Sequence, residues 1–127
     1  MSYEKTVWAG EGTLAREQEY NDHWCYERGI ITKAWLDVYA ATGDRRFYDA
    51  AKANVDQYVT ADGEILTYEP DKYNLDMICM GRTALRLFKA TGEAKYEKAC
   101  RRLIEQIKGQ PTTAEGGFWH KKLYPQQ

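Results

Sequence analysis

Apolar residues recur at helical spacing in two stretches: Ile30, Ile31, Ala34, Trp35, Val38 and Tyr39 in the first, and Met77, Ile78, Gly81, Leu85 and Phe88 in the second. Offsets of three and four place such residues on one stripe of an α-helix, so each stretch predicts a helix with one buried face. Thr42-Gly43 and Thr91-Gly92 close the two stripes in the same way. Glycine supplies the left-handed stop, and the acid that follows, Asp44 or Glu93, places negative charge beside the free N–H groups of a next helix. A second amphipathic run follows each glycine. Helices are therefore predicted near residues 24–41, 45–59, 75–90 and 94–108.

The likeness between the two stretches is an internal repeat. Leu36 to Asp44 aligns with Leu85 to Glu93 at a period of about 49 residues. The alignment continues beyond the glycines, with Phe47 against Tyr96, Ala50 against Ala99, Val55 against Ile104 and Gln57 against Gln106. The repeated unit is thus an antiparallel helical hairpin, and the fold class is all-α.

Between the hairpins, Thr60-Ala61-Asp62-Gly63 carries turn chemistry, and Ile65, Tyr68 and Pro70 describe an extended excursion that returns the chain to Asn74 and Asp76. After the second hairpin, Gly109 to Gln127 is a loop with Phe118, Trp119 and Tyr124, which marks it as a candidate place for a site. One domain results: a poorly defined leader (1–22), a first hairpin (23–60), the excursion (61–74), a second hairpin (75–108) and an aromatic loop (109–127).

Composition narrows the function. Eighteen basic residues against nineteen acidic ones, with neither sign in a block, argue against a nucleic-acid partner. No run approaches the roughly 18 apolar residues of a membrane span, and Met1 to Gly10 lacks the order of a signal peptide, so a cytoplasmic location is expected. Cys25, Cys79 and Cys100 are odd in number and widely spaced, with only two histidines to join them, which predicts neither structural zinc nor a disulfide framework. Each falls in an apolar helical pattern and is read as a small buried side chain.

An ordered set of motifs carries a family resemblance: Trp24-Cys25-Tyr26-Glu27-Arg28-Gly29, the Thr-Gly-Asp/Glu turns, Asp62-Gly63, Tyr73-Asn74-Leu75-Asp76, and Gly116-Gly117-Phe118-Trp119-His120-Lys121. In this order the chain resembles the unsaturated rhamnogalacturonyl hydrolases, glycoside hydrolases related to the unsaturated glucuronyl hydrolases. The resemblance implies hairpins of a six-hairpin (α/α) toroid, of which about two are present. It also implies a reaction: removal of a 4,5-unsaturated uronic acid from pectin-derived oligosaccharides by hydration of the enol ether. An aspartic acid protonates C4, water adds at C5, and the hemiketal opens to release the next sugar. In the family that aspartate follows the Tyr-Pro-x-Gln segment, here Tyr124-Pro125-Gln126-Gln127, so the resemblance implies an N-terminal part without the proton donor.

Asp76 matches the family's second active-site aspartate and is the catalytic candidate, against the plainer reading in which Asn74 or Asp76 caps the third helix. His120 and Lys121 match substrate-side residues that can hydrogen-bond sugar hydroxyls or a carboxylate. Trp119 and Tyr26 are candidate sugar-stacking residues, although core packing is the first expectation for Trp24 and Trp119 while Tyr26 leans toward a pocket. His23 is read as a solvent-facing cap, and Glu27 and Arg28 as a solvated or salt-bridged surface pair. No cofactor and no metal are implied. The alternative to an enzyme part is a non-catalytic helical-repeat module that binds a carbohydrate or a protein. Because each repeat leaves one face for its neighbour, two hairpins alone predict self-association through the uncovered face.

Overall fold

The computed structural model describes residues 3–16 and 23–122, with residues 3–8 described by their backbone alone. Among the described residues five α-helices follow one another: α1 (Tyr3–Ala15), α2 (Tyr26–Thr42), α3 (Arg45–Asp56), α4 (Gly81–Thr91) and α5 (Ala94–Gly109), with 3-10 turns at Pro70–Lys72 and Leu75–Met77. Tyr124 and the rest of its segment lie outside the described residues.

The two hairpins, α2–α3 and α4–α5, turn identically. Gly43 (φ 72°) and Gly92 (φ 70°) adopt the left-handed conformation, and their N–H groups bond to the carbonyls of Tyr39 and Phe88. Both threonines contribute as well. Thr42 Oγ1 donates to Val38 O at 2.7 Å and accepts from the Asp44 N–H at 3.2 Å; Thr91 repeats this with Leu87 O at 2.8 Å and the Glu93 N–H at 3.1 Å. The repeated dipeptide is therefore a complete turn device. Asp44 adds a side-chain cap on the Arg46 N–H, whereas Glu93 occupies the cap position without such a bond.

A single core joins the hairpins, with Trp24, Trp35, Phe47, Val55, Met80, Leu87 and Tyr96 among its fully buried members. Where α2 meets the second hairpin the contact is very close. A β-carbon at Gly29 would stand 2.6 Å from Cys79 Sγ, and the buried hydroxyls of Thr32 and Thr83 lie 2.8 Å apart. The Thr32 proton is given to Arg28 O at 2.7 Å, so Thr83 is the donor between them.

Three expectations are corrected. The leader contains α1, which packs on the first hairpin: Trp35 Nε1 donates to Thr13 Oγ1 at 2.8 Å, and Gly10 leaves room for the Phe47 ring, which a β-carbon there would meet at 2.5 Å. The helix expected over 75–90 begins instead at Gly81, after a 3-10 turn. The Met77 carbonyl, which in an α-helix would accept the Gly81 N–H, accepts the Trp24 indole N–H at 2.6 Å, and Gly81 bonds to Ile78 O. Arg28 is no surface residue: it is 4% exposed, with its guanidinium 5.2 Å from the Tyr58 ring centre. Cys25 is buried while Cys79 and Cys100 are half-buried, and all three thiols are free.

The repeat also explains an open face. Leu85, Cys100, Leu103, Ile104 and Ile107 line an apolar groove of about 240 Å³ between α4 and α5. One period earlier stand Leu36, Ala51, Asn54, Val55 and Tyr58, all buried in the first hairpin. The second hairpin thus presents uncovered the face that the first keeps covered.

Candidate active site

The site candidates converge where α2 begins and the excursion ends. Trp24 organises this corner. Its backbone N–H donates to Thr67 Oγ1 at 2.8 Å and its indole to Met77 O, so one buried residue fastens both the excursion and the turn that follows it beside the first turn of α2. Trp24 is core, as expected, and its ring meets Tyr58 edge-on.

Asn74 settles which residue caps the turn: its Oδ1 accepts the Asp76 N–H at 3.0 Å. The Asp76 carboxylate is left to face the aromatic loop, where His120 Nε2 lies 3.3 Å from one oxygen and Lys121 Nζ 3.5 Å from the other. All three side chains are about 30% exposed, which leaves them reachable from solvent. The loop is registered against the turn by its backbone, with the Leu75 N–H on His120 O at 2.9 Å and the Lys122 N–H on Lys72 O at 3.0 Å. Asp76 and the adjacent pair His120-Lys121, at least 44 positions further along the chain, thereby form one cluster.

Tyr26 is 43% exposed on the first turn of α2. The charge of the adjacent Glu27 pushes its phenol above the ordinary value, and the Asp76 carboxylate adds to this, which puts Tyr26 within electrostatic reach of the cluster. Burial pushes the neighbouring Cys25 thiol up, so it is a poor nucleophile. Trp119 is half-buried and outside the core, contrary to the first expectation, because its segment is held by backbone bonds: its N–H donates to Pro111 O at 2.8 Å. His23 does not cap α2; Cys25 occupies that position without a side-chain bond. Among the described residues no three His, Cys, Asp or Glu side chains come together to hold a metal ion, and no helix is long and apolar enough to cross a membrane.

Sequence reasoning missed the support beneath this cluster. Gln106 (3% exposed) and Gln110 (5%) lie one turn apart at the end of α5 and bond to the segments that carry Asp76 and His120. The match of Gln57 with Gln106 in the repeat was the available signal, yet Gln57 is exposed. The segments that Gln106 and Gln110 hold fold against the end of α5, whereas Gln57 faces solvent.

A solved structure, of the C. acetobutylicum ATCC 824 glycoside hydrolase from family 105, is similar in sequence and fold. It is 35% identical with a TM-score of 0.87, and the likeness covers 98% of this chain and 34% of that one. The chain spans about a third of that relative's length, and its two hairpins belong to the same six-hairpin toroid fold. Residues 5–127 match Glycosyl Hydrolase Family 88. By that match, over nearly all of its length, the chain belongs to Glycosyl Hydrolase Family 88.

Proposed function

We propose that these 127 residues supply the uronate-side portion of a glycosidase site acting on unsaturated uronyl oligosaccharides derived from rhamnogalacturonan. The observation that carries the reading is the joining of Asp76, His120 and Lys121 in one reachable cluster. A carboxylate flanked by two N–H donors suits a sugar that presents both hydroxyls and a carboxylate: Asp76 accepts from hydroxyls, and Lys121 and His120 donate to the acid group. Tyr26, at the edge, offers an aromatic face for the ring. Trp119, half-buried, offers less. In the enol-ether hydration implied by the family, Asp76 orients substrate and shapes the field around the proton donor. The reading assigns proton donation itself to a residue beyond these 127.

Calorimetric titration with an unsaturated rhamnogalacturonan disaccharide tests this. Binding is expected, weakened about tenfold or more by Lys121→Ala or Asp76→Asn, a loss of roughly 1.4 kcal/mol. The enol-ether absorbance is expected to stay constant in both the parent chain and Asp76→Asn. Affinity unchanged by either substitution would refute the assignment, and turnover abolished by Asp76→Asn would show that a proton donor lies within the chain.

A further inference from the structure

We propose that Gln106 and Gln110 are positioning residues that hold Asp76 opposite His120 and Lys121, an inference that rests on the reading of that cluster as the site. Gln110 Nε2 has two N–H bonds to give and two carbonyls to receive them, Tyr73 O at 2.6 Å and Trp119 O at 2.7 Å. One amide therefore clasps both segments, three residues before Asp76 and one before His120. Its Oε1 accepts from Gln106 Nε2 at 3.1 Å, and Gln106 spends its other N–H on Asn74 O, also at 3.1 Å. The Gln106 Oε1 accepts the Tyr68 hydroxyl at 2.6 Å. Every N–H of the two amides has one acceptor, and the backbone carbonyls can only accept, so a flip of either amide would set its oxygen against a carbonyl oxygen.

The arrangement is more than filling. Tyr73 sits in the left-handed region (φ 47°), a conformation that bulky residues adopt only when their surroundings impose it, and here its carbonyl is seized by Gln110. Tyr73 Oη would stand 3.2 Å from a β-carbon at Gly109, so the hydroxyl end of the ring lies close against the end of α5, next to Gln110. Neither glutamine reaches the cluster itself. They act on it through the backbone, by fixing how far the turn at Leu75–Met77 stands from the aromatic loop.

Amide hydrogen exchange and nuclear Overhauser contacts in the folded 127-residue chain test this without reference to turnover or to ligand. Gln110→Met keeps length and approximate volume while removing both donors; Gln110→Glu keeps the acceptor for Gln106 and, ionised, removes both donors. In each, the Leu75 and Lys122 amides are expected to exchange about tenfold faster or more relative to amides in the middle of α2, with loss of contacts between the His120 ring and the Asp76 β-protons. Retention of the contacts and of protection in Gln110→Met would reduce the glutamine to packing and overturn the proposal. Should Gln110→Met fail to fold, Gln106→Met decides: loosening of the Leu75 amide with α2 unaffected supports the proposal, and an unchanged amide overturns it. Binding measurements bear on the functional reading alone, so the two can fail separately.

Discussion

Gly63 and Gly43 have nearly the same backbone conformation, φ 77° and 72°, yet substitution by alanine is expected to cost very different amounts. At Gly43 a β-carbon would meet nothing within 4 Å, so the loss is that of forcing a non-glycine residue into the left-handed region, about 1–2 kcal/mol. At Gly63 the same carbon would lie 2.2 Å from Lys98 Cβ and 3.1 Å from Lys95 O. The turn sits this close because Arg102 Nε donates to Gly63 O at 2.9 Å, and Gly63 N–H to Thr60 O at 2.9 Å closes the turn behind it. Relief requires moving the turn off α5, so an overpacking cost of about 1–3 kcal/mol is added, for a total of about 2–5 kcal/mol. In a domain of this size each kcal/mol lowers Tm by about 3–5 °C, giving losses of about 5 °C for Gly43→Ala and 10 °C or more for Gly63→Ala. Thermal unfolding followed by far-ultraviolet circular dichroism measures both. Shortening the neighbour should not help, because the colliding atom is its β-carbon: Gly63→Ala with Lys98→Ala is expected to melt no higher than Gly63→Ala alone. Equal losses at the two glycines, or rescue by Lys98→Ala, would refute the close seating of the excursion on α5.

The open groove between α4 and α5, where Leu85, Ile104 and Ile107 are each 37–47% exposed, is expected to pair the 127-residue chain with a second copy. Head-to-tail addition is disfavoured because α1 already covers Trp35 and Phe47 of the first hairpin, leaving a two-fold contact of like faces. Sedimentation at micromolar concentration should show a dimer that Ile104→Glu dissociates; a parent chain that is monomeric would contradict this. Asp56 gives a pH dependence. Burial raises its carboxyl, but hydrogen bonds from Lys52 (2.8 Å), Tyr96 (2.5 Å) and Lys95 more than offset this, and the folded value lies below the ordinary one. Its stabilisation is therefore present above the unfolded carboxyl value near 3.9 and lost as pH falls through the lower folded value. Urea midpoints between about pH 6 and pH 3 should fall less steeply in Asp56→Asn, and parallel slopes would remove Asp56 from the account.

The parts of the fold that were legible in the sequence are those made by neighbours in the chain. Thr42-Gly43 and Thr91-Gly92 build their turns from residues within four positions, and the stripes of α2 and α4 are local too. What escaped was decided at a distance. The late start of α4 depends on a Met77 carbonyl claimed by Trp24, 53 positions away, and the burial of Arg28 depends on Tyr58. In α1, Gly10 and Gly12 break the apolar stripe, and the reason for Gly10 is the Phe47 ring. At the site, Asp76, His120 and Lys121 were found through the order of their motifs, since no spacing along the chain announces that they meet. Gln106 and Gln110 look like ordinary helical glutamines, and only the chain folded over them shows otherwise.

The most direct test of the uronate site is a titration of the unsaturated rhamnogalacturonan disaccharide into the isotope-labelled chain, followed residue by residue in nuclear magnetic resonance spectra. Saturable shifts confined to Tyr26, Asp76, His120, Lys121 and their immediate neighbours, and lost in Asp76→Asn, are the expected result. Shifts centred on the α4–α5 groove, or none at concentrations up to about millimolar, would contradict the claim that these residues form the part of the site that receives the uronate.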